Sequence, residues 1–146
     1  MTSAPVDLGS ARRMFGGLPT VNVATVDEDG SPHVVPLWFV WREDAIYVAT
    51  RREGRTWRNA VRDPRVALAV DLGHSWVEIA GIEVRGVARA LSAEHADMRA
   101  PISAWHDKYR PLLAGDGFSR FTEEVRSLGF LRVEPLRVSV WDHARG

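Results

Sequence analysis

The tetrapeptide Asp27-Glu28-Asp29-Gly30 sets the first limit on how this chain can fold. Asp-Gly favours the positive φ angles of a tight turn, and here it stands between two apolar runs, residues 20–26 and 32–41. In the first run Val21, Val23 and Thr25 alternate with Asn22, Ala24 and Val26, the pattern of a half-buried strand. Strands joined by so short a turn must pair antiparallel. Arg42-Glu43-Asp44 repeats the arrangement and leads into a third strand over residues 45–50, with Ile46, Val48 and Thr50 on one face. Hairpins of this kind exclude a doubly wound parallel sheet.

Pro36 lies inside the second run. It cannot donate to a ladder, so an edge strand or a bulge is expected there. Before the first strand, Ser10 is placed to cap a short helix ended by Gly16-Gly17. After the third strand, residues 55–62 read as a short helix that Asp63-Pro64 terminates. A nearly all-apolar strand follows over 66–70, then a β-rich stretch over 76–91 with a kink or bulge expected near Gly81. Residues 92–109 read as a helix interrupted by Pro101, and 118–127 as a second helical piece. Residues 130–133 and 136–141 are two closing strands around Glu134-Pro135. Six or seven such strands close most naturally into a small antiparallel barrel, which removes exposed edges. The 92–127 insertion would pack outside it.

One domain over residues 1–146 is expected from the length. No apolar run approaches the roughly 18 residues of a membrane span. The first residues lack a signal-peptide core, so a cytoplasmic location is the default. There is no cysteine, which excludes thiolate metal ligands and cysteine nucleophiles. The 19 basic and 19 acidic residues cancel, which argues against a general nucleic-acid binder. Lys108 is the single lysine, the other basic residues being arginine. That bias reads first as codon usage, yet arginine's planar fork also suits phosphate and carboxylate.

The chemistry-bearing residues concentrate behind the third strand. Thr50 closes it, and Arg51, Arg52, Arg55 and Arg58 follow within one short span. Arg52 reads as a solvated turn residue; Arg55 and Arg58 suit either a solvated helix face or an anion site. His33, His74, His95, His106 and His143 are scattered without metal-ligand spacing, so no metal is expected. His33 reads as an exposed hairpin residue. There is no Gly-x-Ser-x-Gly and no Gly-x-Gly-x-x-Gly, which leaves no nucleophile elbow and no Rossmann fingerprint.

Taken together, Ala24-Thr25, Asp29-Gly30-Ser31-Pro32-His33, Val35-Pro36-Leu37-Trp38-Phe39, Ile46-Tyr47-Val48-Ala49-Thr50, Arg58-Asn59, Asp63-Pro64-Arg65-Val66, Gly86-Val87-Ala88 and the closing Arg137-Val138-Ser139-Val140-Trp141-Asp142 resemble the FMN-binding split β-barrel family of pyridoxamine 5′-phosphate oxidase. The likeness is to its small actinobacterial flavin- or deazaflavin-dependent oxidoreductases, and it covers nearly the whole chain. It implies a mostly β fold, a Greek-key split barrel, and a homodimer with the cofactor, FMN or coenzyme F420, at the interface. Val35, Pro36, Leu37 and Trp38 would meet the ring edge through backbone groups, and Thr50 the ribityl or phosphate region. The family usually has a serine or threonine where Gly54 stands and a lysine where Thr56 stands. The phosphate would then rest on Arg51, Arg55, Thr56, Arg58, Asn59 and the helix N-terminus. His74 and Trp76 are weaker candidates for a substrate pocket. The resemblance implies hydride transfer between the cofactor and a small conjugated substrate. The replaced lysine keeps open a carrier of FMN, F420, haem or another flat ligand. Neither nucleic acid nor membrane is an expected partner.

Overall fold

A computed structural model describes residues 7–113, 120 and 127–143. Helix α1 (Leu8–Phe15) is followed by strands β1 (Val21–Val26), β2 (Pro32–Leu37), β3 (Phe39–Arg42) and β4 (Ala45–Arg51). Helix α2 (Arg55–Arg62) leads to β5 (Arg65–Leu72) and β6 (Ala80–Ser92). Helix α3 (Arg99–Tyr109) and β7 (Leu128–Asp142) complete the described elements. The strands form one antiparallel sheet in the order β2-β1-β5-β6-β7-β4-β3. The protein is mostly β, with the seven-stranded split barrel that the hairpin signals predict.

The closure depends on one residue. The second predicted strand is not continuous: it breaks at Trp38 into β2 and β3, which lie at opposite ends of the sheet order. The two open edges are therefore joined through a single covalent step, and the sheet curls into a barrel. Trp38 O still accepts from Ala49 N at 2.9 Å. Pro36 pairs only with Asn22 of β1, so its missing N–H faces no second strand, as an edge strand allows.

The barrel interior follows from the alternation. Val21, Val23, Val48, Leu68, Ile82, Val84, Leu131 and Val133 are buried in one cluster with Phe39 and Phe15. A second cluster forms where α3 covers the β3–β4 side, with Met98, Trp105, Tyr109, Phe130 and Leu91.

Several local expectations are corrected. Asp7, not Ser10, caps α1, its carboxylate accepting from Gly9 N and Ser10 N at 3.2 Å. Trp76 lies in a turn, and the strand begins only at Ala80. Gly81 pairs regularly with Trp141; the irregularity falls between Arg85 and Gly86. A Cβ on Gly86 would stand 2.2 Å from Glu134 O, so only glycine admits that close approach. The two closing strands are one, β7: Glu134 and Pro135 stay in the ladder opposite Val87 and Gly86, and the bulge leaves only Leu136 without a partner on β6. Residues 92–98 hold the end of β6 and a single 3-10 turn, so α3 starts at Arg99. Pro101 then sits in its first turn, where a missing N–H is tolerated. The helical piece expected over 118–127 lies almost wholly outside the described residues.

Candidate functional site

Helix α2 is where the barrel carries its polar side chains. Gly54 precedes it in an extended conformation, and no side chain caps its N-terminus. The first-turn N–H groups therefore face outward without a side-chain acceptor. Trp57 fixes the helix on the sheet: its ring lies over Gly129, where a Cβ would be 2.2 Å from Trp57 Cζ3. Gly129 pairs with Thr50 at the end of β4, so α2 enters directly above Thr50, itself 5% exposed.

One face of α2 is locked to β1. Asn59, 3% exposed, donates through Nδ2 to Thr25 Oγ1 at 3.1 Å and to Asp27 Oδ1 at 2.8 Å. Its Oδ1 accepts from Arg62 Nη2 at 2.8 Å, and Arg62 also reaches Val26 O. Arg55 grips Asp27 with both ends of its fork, Nε standing 2.9 Å from Oδ1. These bonds, Arg55 first and then Asn59, hold the Asp27 carboxyl well below the usual carboxylate range. Two residues expected at a phosphate, Arg55 and Asn59, thus already serve the joint between helix and hairpin.

The others remain available. Arg51 and Arg58 are exposed and have no ion pair among the described residues. Arg58 faces a cleft of about 320 Å³ shared with Asp27, Asp29, Arg55 and Asn59. Thr56 is 6% exposed, and its Oγ1 lies 3.5 Å from His33 Nε2. His33 is therefore half-buried against α2, contrary to its reading as an exposed hairpin residue; its pairing with buried Thr25 places it on the same face. That face assignment was readable from the alternation, had His33 been matched across the turn to Thr25.

Strand β2 supplies a different surface. Among the described residues it pairs with β1 alone, so one side of its backbone has no ladder partner among them. Val35 and Leu37 stand opposite Val23 and Val21 and turn toward the barrel. Val34, 64% exposed, and Pro36 turn outward. The contact of His33 with Thr56 brings this edge beside the start of α2. Trp38 stands at its end, stacked on Tyr109 with ring centroids 4.1 Å apart and planes 5° from parallel.

His74 and Trp76 lie elsewhere. They sit in the β5–β6 turn, where Trp76 meets His143 edge-on at 4.7 Å. β5 begins directly after α2 and runs eight residues to that turn, about 25 Å at the usual strand rise. The structure does not bring these two to α2. Among the described residues no cluster of His, Asp or Glu could hold a metal ion.

Part of the outer face of β1, β2, β5 and β6 is apolar. A groove of about 650 Å³ is lined by Ala24, Val26, Pro32, Ala67, Val87 and Leu136, with Arg65 and Arg85 beside them. Leu136 is 68% exposed.

Comparison with known proteins gives a consistent frame. The family model described as pyridoxamine 5′-phosphate oxidase matches residues 10–142. A conserved hypothetical protein from Mycobacterium tuberculosis shares the fold with a TM-score of 0.80 at 19% identity, over 98% of this chain and 89% of that one. An F420 reductase aligns with a TM-score of 0.65 at 21% identity, over 93% of this chain and 98% of that one. HutZ, the haem storage protein from Vibrio cholerae, aligns at 0.71 and 16% identity, over 94% and 95%. No curated protein matches the chain in sequence.

Proposed function

The chain belongs to the pyridoxamine 5′-phosphate oxidase family, and from that premise we propose that it is an oxidoreductase using coenzyme F420 or FMN on a small conjugated substrate. The observation that carries the proposal is the meeting of two unsatisfied surfaces: the unpaired backbone edge of β2 and the uncapped start of α2. A flat heteroaromatic ring needs edge hydrogen bonds, which a bare strand supplies. A phosphate needs N–H groups and cations, which the helix start, the Thr56 hydroxyl, Arg51 and Arg58 supply. When bound, the cofactor furnishes the hydride chemistry.

The residues of the chain then bind and orient. Val35, Pro36 and Leu37 present backbone groups to the ring edge, and Trp38 forms a wall at the end of that edge. Thr50 and Thr56 lie below the ribityl and phosphate. Arg55 and Asn59 act one step behind, by holding α2 against β1. Arg58, without an ion pair, is the principal phosphate cation; the polyglutamate tail of F420 would gain from Arg51 as well.

The apolar part of the outer face of β1, β2, β5 and β6 supports a homodimer in which a second copy covers Val34 and Leu136 and completes the site. The protein would act in the cytoplasm. No described helix is long and apolar enough to cross a membrane, and the balanced charge gives nucleic acid no purchase.

A second reading rests on Arg55. Its engagement by Asp27 removes one cation from the phosphate site, which favours a carrier of FMN, F420, haem or another flat ligand without turnover. Fluorescence titration with FMN and F420, followed by assay of hydride transfer to enones and quinones, separates the two. Saturable binding with turnover supports the oxidoreductase; binding without turnover supports the carrier.

A further inference from the structure

Lys108 and Tyr109 are consecutive on α3, and both reach one peptide unit of the barrel. Tyr109 Oη accepts from Phe39 N at 2.8 Å. Its single proton serves Pro19 O at 2.7 Å, with Phe39 O at 3.0 Å as the alternative. Lys108 Nζ donates to Phe39 O at 2.8 Å and stands 3.6 Å above the Phe39 ring centroid. In an antiparallel strand the N–H and C=O of one residue point to the same side. Those of Phe39 point away from β4, along the open edge of β3, where no strand pairs. Two side chains of α3 therefore take the place of the missing strand. The Tyr109 ring also lies flat against Trp38, so the same pair holds the backbone after the crossover and the ring at it.

The apolar packing of Met98, Trp105 and Phe130 already seats α3, and a leucine at 108 would cover Phe39 equally well. A half-buried ammonium is therefore unexplained by packing alone. We propose that Lys108 and Tyr109 are positioning residues that clamp the Trp38 crossover, and that the protonation state of Lys108 sets how firmly the Trp38 wall of the ligand site is held.

The proposal rests on the reading of the β2 edge and Trp38 as a ligand wall. Burial pulls the Lys108 amine down to about 8. No carboxylate pairs with it among the described residues, and the titratable group facing it, the Tyr109 phenol, is pushed up by burial and stays neutral. Burial thus favours the neutral amine in the clamp: loss of the proton relieves the desolvation cost while the amine still donates to Phe39 O, so the clamp tightens as pH rises through about 8.

The test uses ligand-free protein first. The near-ultraviolet circular dichroism of the Trp38–Tyr109 stack, assigned by its loss in Trp38→Phe, is followed from pH 7 to 9.5. The wild type is expected to gain amplitude with a midpoint near 8. Lys108→Arg, which keeps its charge, should stay at the wild type's pH 7 level throughout, and Lys108→Met, which cannot titrate, should show no transition. A flat or falling wild-type profile, or a transition that persists in Lys108→Arg, overturns the clamp. Binding of FMN and F420 at pH 7 should weaken about three- to fivefold in Lys108→Met, the scale of one lost cation–π contact, and recover in Lys108→Arg. Equal affinity in Lys108→Met and wild type also overturns it. If neither cofactor binds the wild type, the proposed function falls while the dichroism still decides the clamp.

Discussion

Replacing Asn59 by alanine separates a structural role from a ligand-binding one. The side chain is 3% exposed and makes three hydrogen bonds, to Thr25, Asp27 and Arg62. A typical buried bond contributes about 1 kcal/mol net, and one to a charged partner about 1.5–3. Arg62 keeps Val26 O and water as acceptors, so its loss counts little. Asp27 keeps Arg55, which discounts the second bond toward the low end. Thr25 Oγ1, in a residue only 2% exposed, is left without its donor. The sum is about 2–3 kcal/mol, and at roughly 3–4 °C per kcal/mol for a domain of this size it lowers Tm by about 6–12 °C. Urea unfolding followed by tryptophan fluorescence measures it. A loss under about 0.5 kcal/mol, with cofactor binding abolished, would refute the reasoning: Asn59 would then touch the ligand and not join α2 to β1.

Other outcomes follow from the same geometry. Gly129→Ala drives a methyl into the Trp57 ring and should cost about 1–3 kcal/mol by overpacking, read by the same unfolding curves. Arg58→Ala should weaken FMN or F420 binding at least about tenfold, as loss of a charge-assisted phosphate contact does, whereas Arg55→Ala should lower stability before affinity; titration and melting on both variants show the order. The folded Lys108 amine titrates near 8 against an ordinary 10.5. Between those values the unfolded chain binds the extra proton, so the cost of burying this group is full below about 8 and is relieved as pH rises toward 10; Lys108→Met should flatten that limb of a stability–pH profile. Val34→Asp with Leu136→Asp should yield a monomer by light scattering if the outer face pairs with a second copy.

The fold was legible because its signals are local. Asp29-Gly30, the alternation of Val21, Val23 and Thr25, and the Asp63-Pro64 stop are each decided by neighbouring residues. Where the sequence misled, the deciding contact was distant. Pro36 marks an irregularity near Trp38 but not a change of strand partner, because the crossover is set by barrel closure. Gly81 and Gly86 look alike in sequence; only the fold shows that a distant ring, that of Trp141, lies over the first and the Glu134 carbonyl over the second, at the bulge. Arg55 and Arg58 are equivalent along the helix, yet Asp27, from the first hairpin, claims one and not the other. The pairing of Lys108 with Phe39 spans 69 residues and leaves no periodic trace, although a lone lysine among arginines was a visible cue.

The central claim is that the β2 edge and the start of α2 form one site for a flat, phosphorylated cofactor. Fluorescence titration of the purified protein with FMN and F420, run in parallel on Arg58→Ala, tests it most directly. The account predicts saturable binding of at least one cofactor, weakened at least about tenfold in the variant. No saturable binding of either, or binding that Arg58→Ala leaves unchanged, would contradict it.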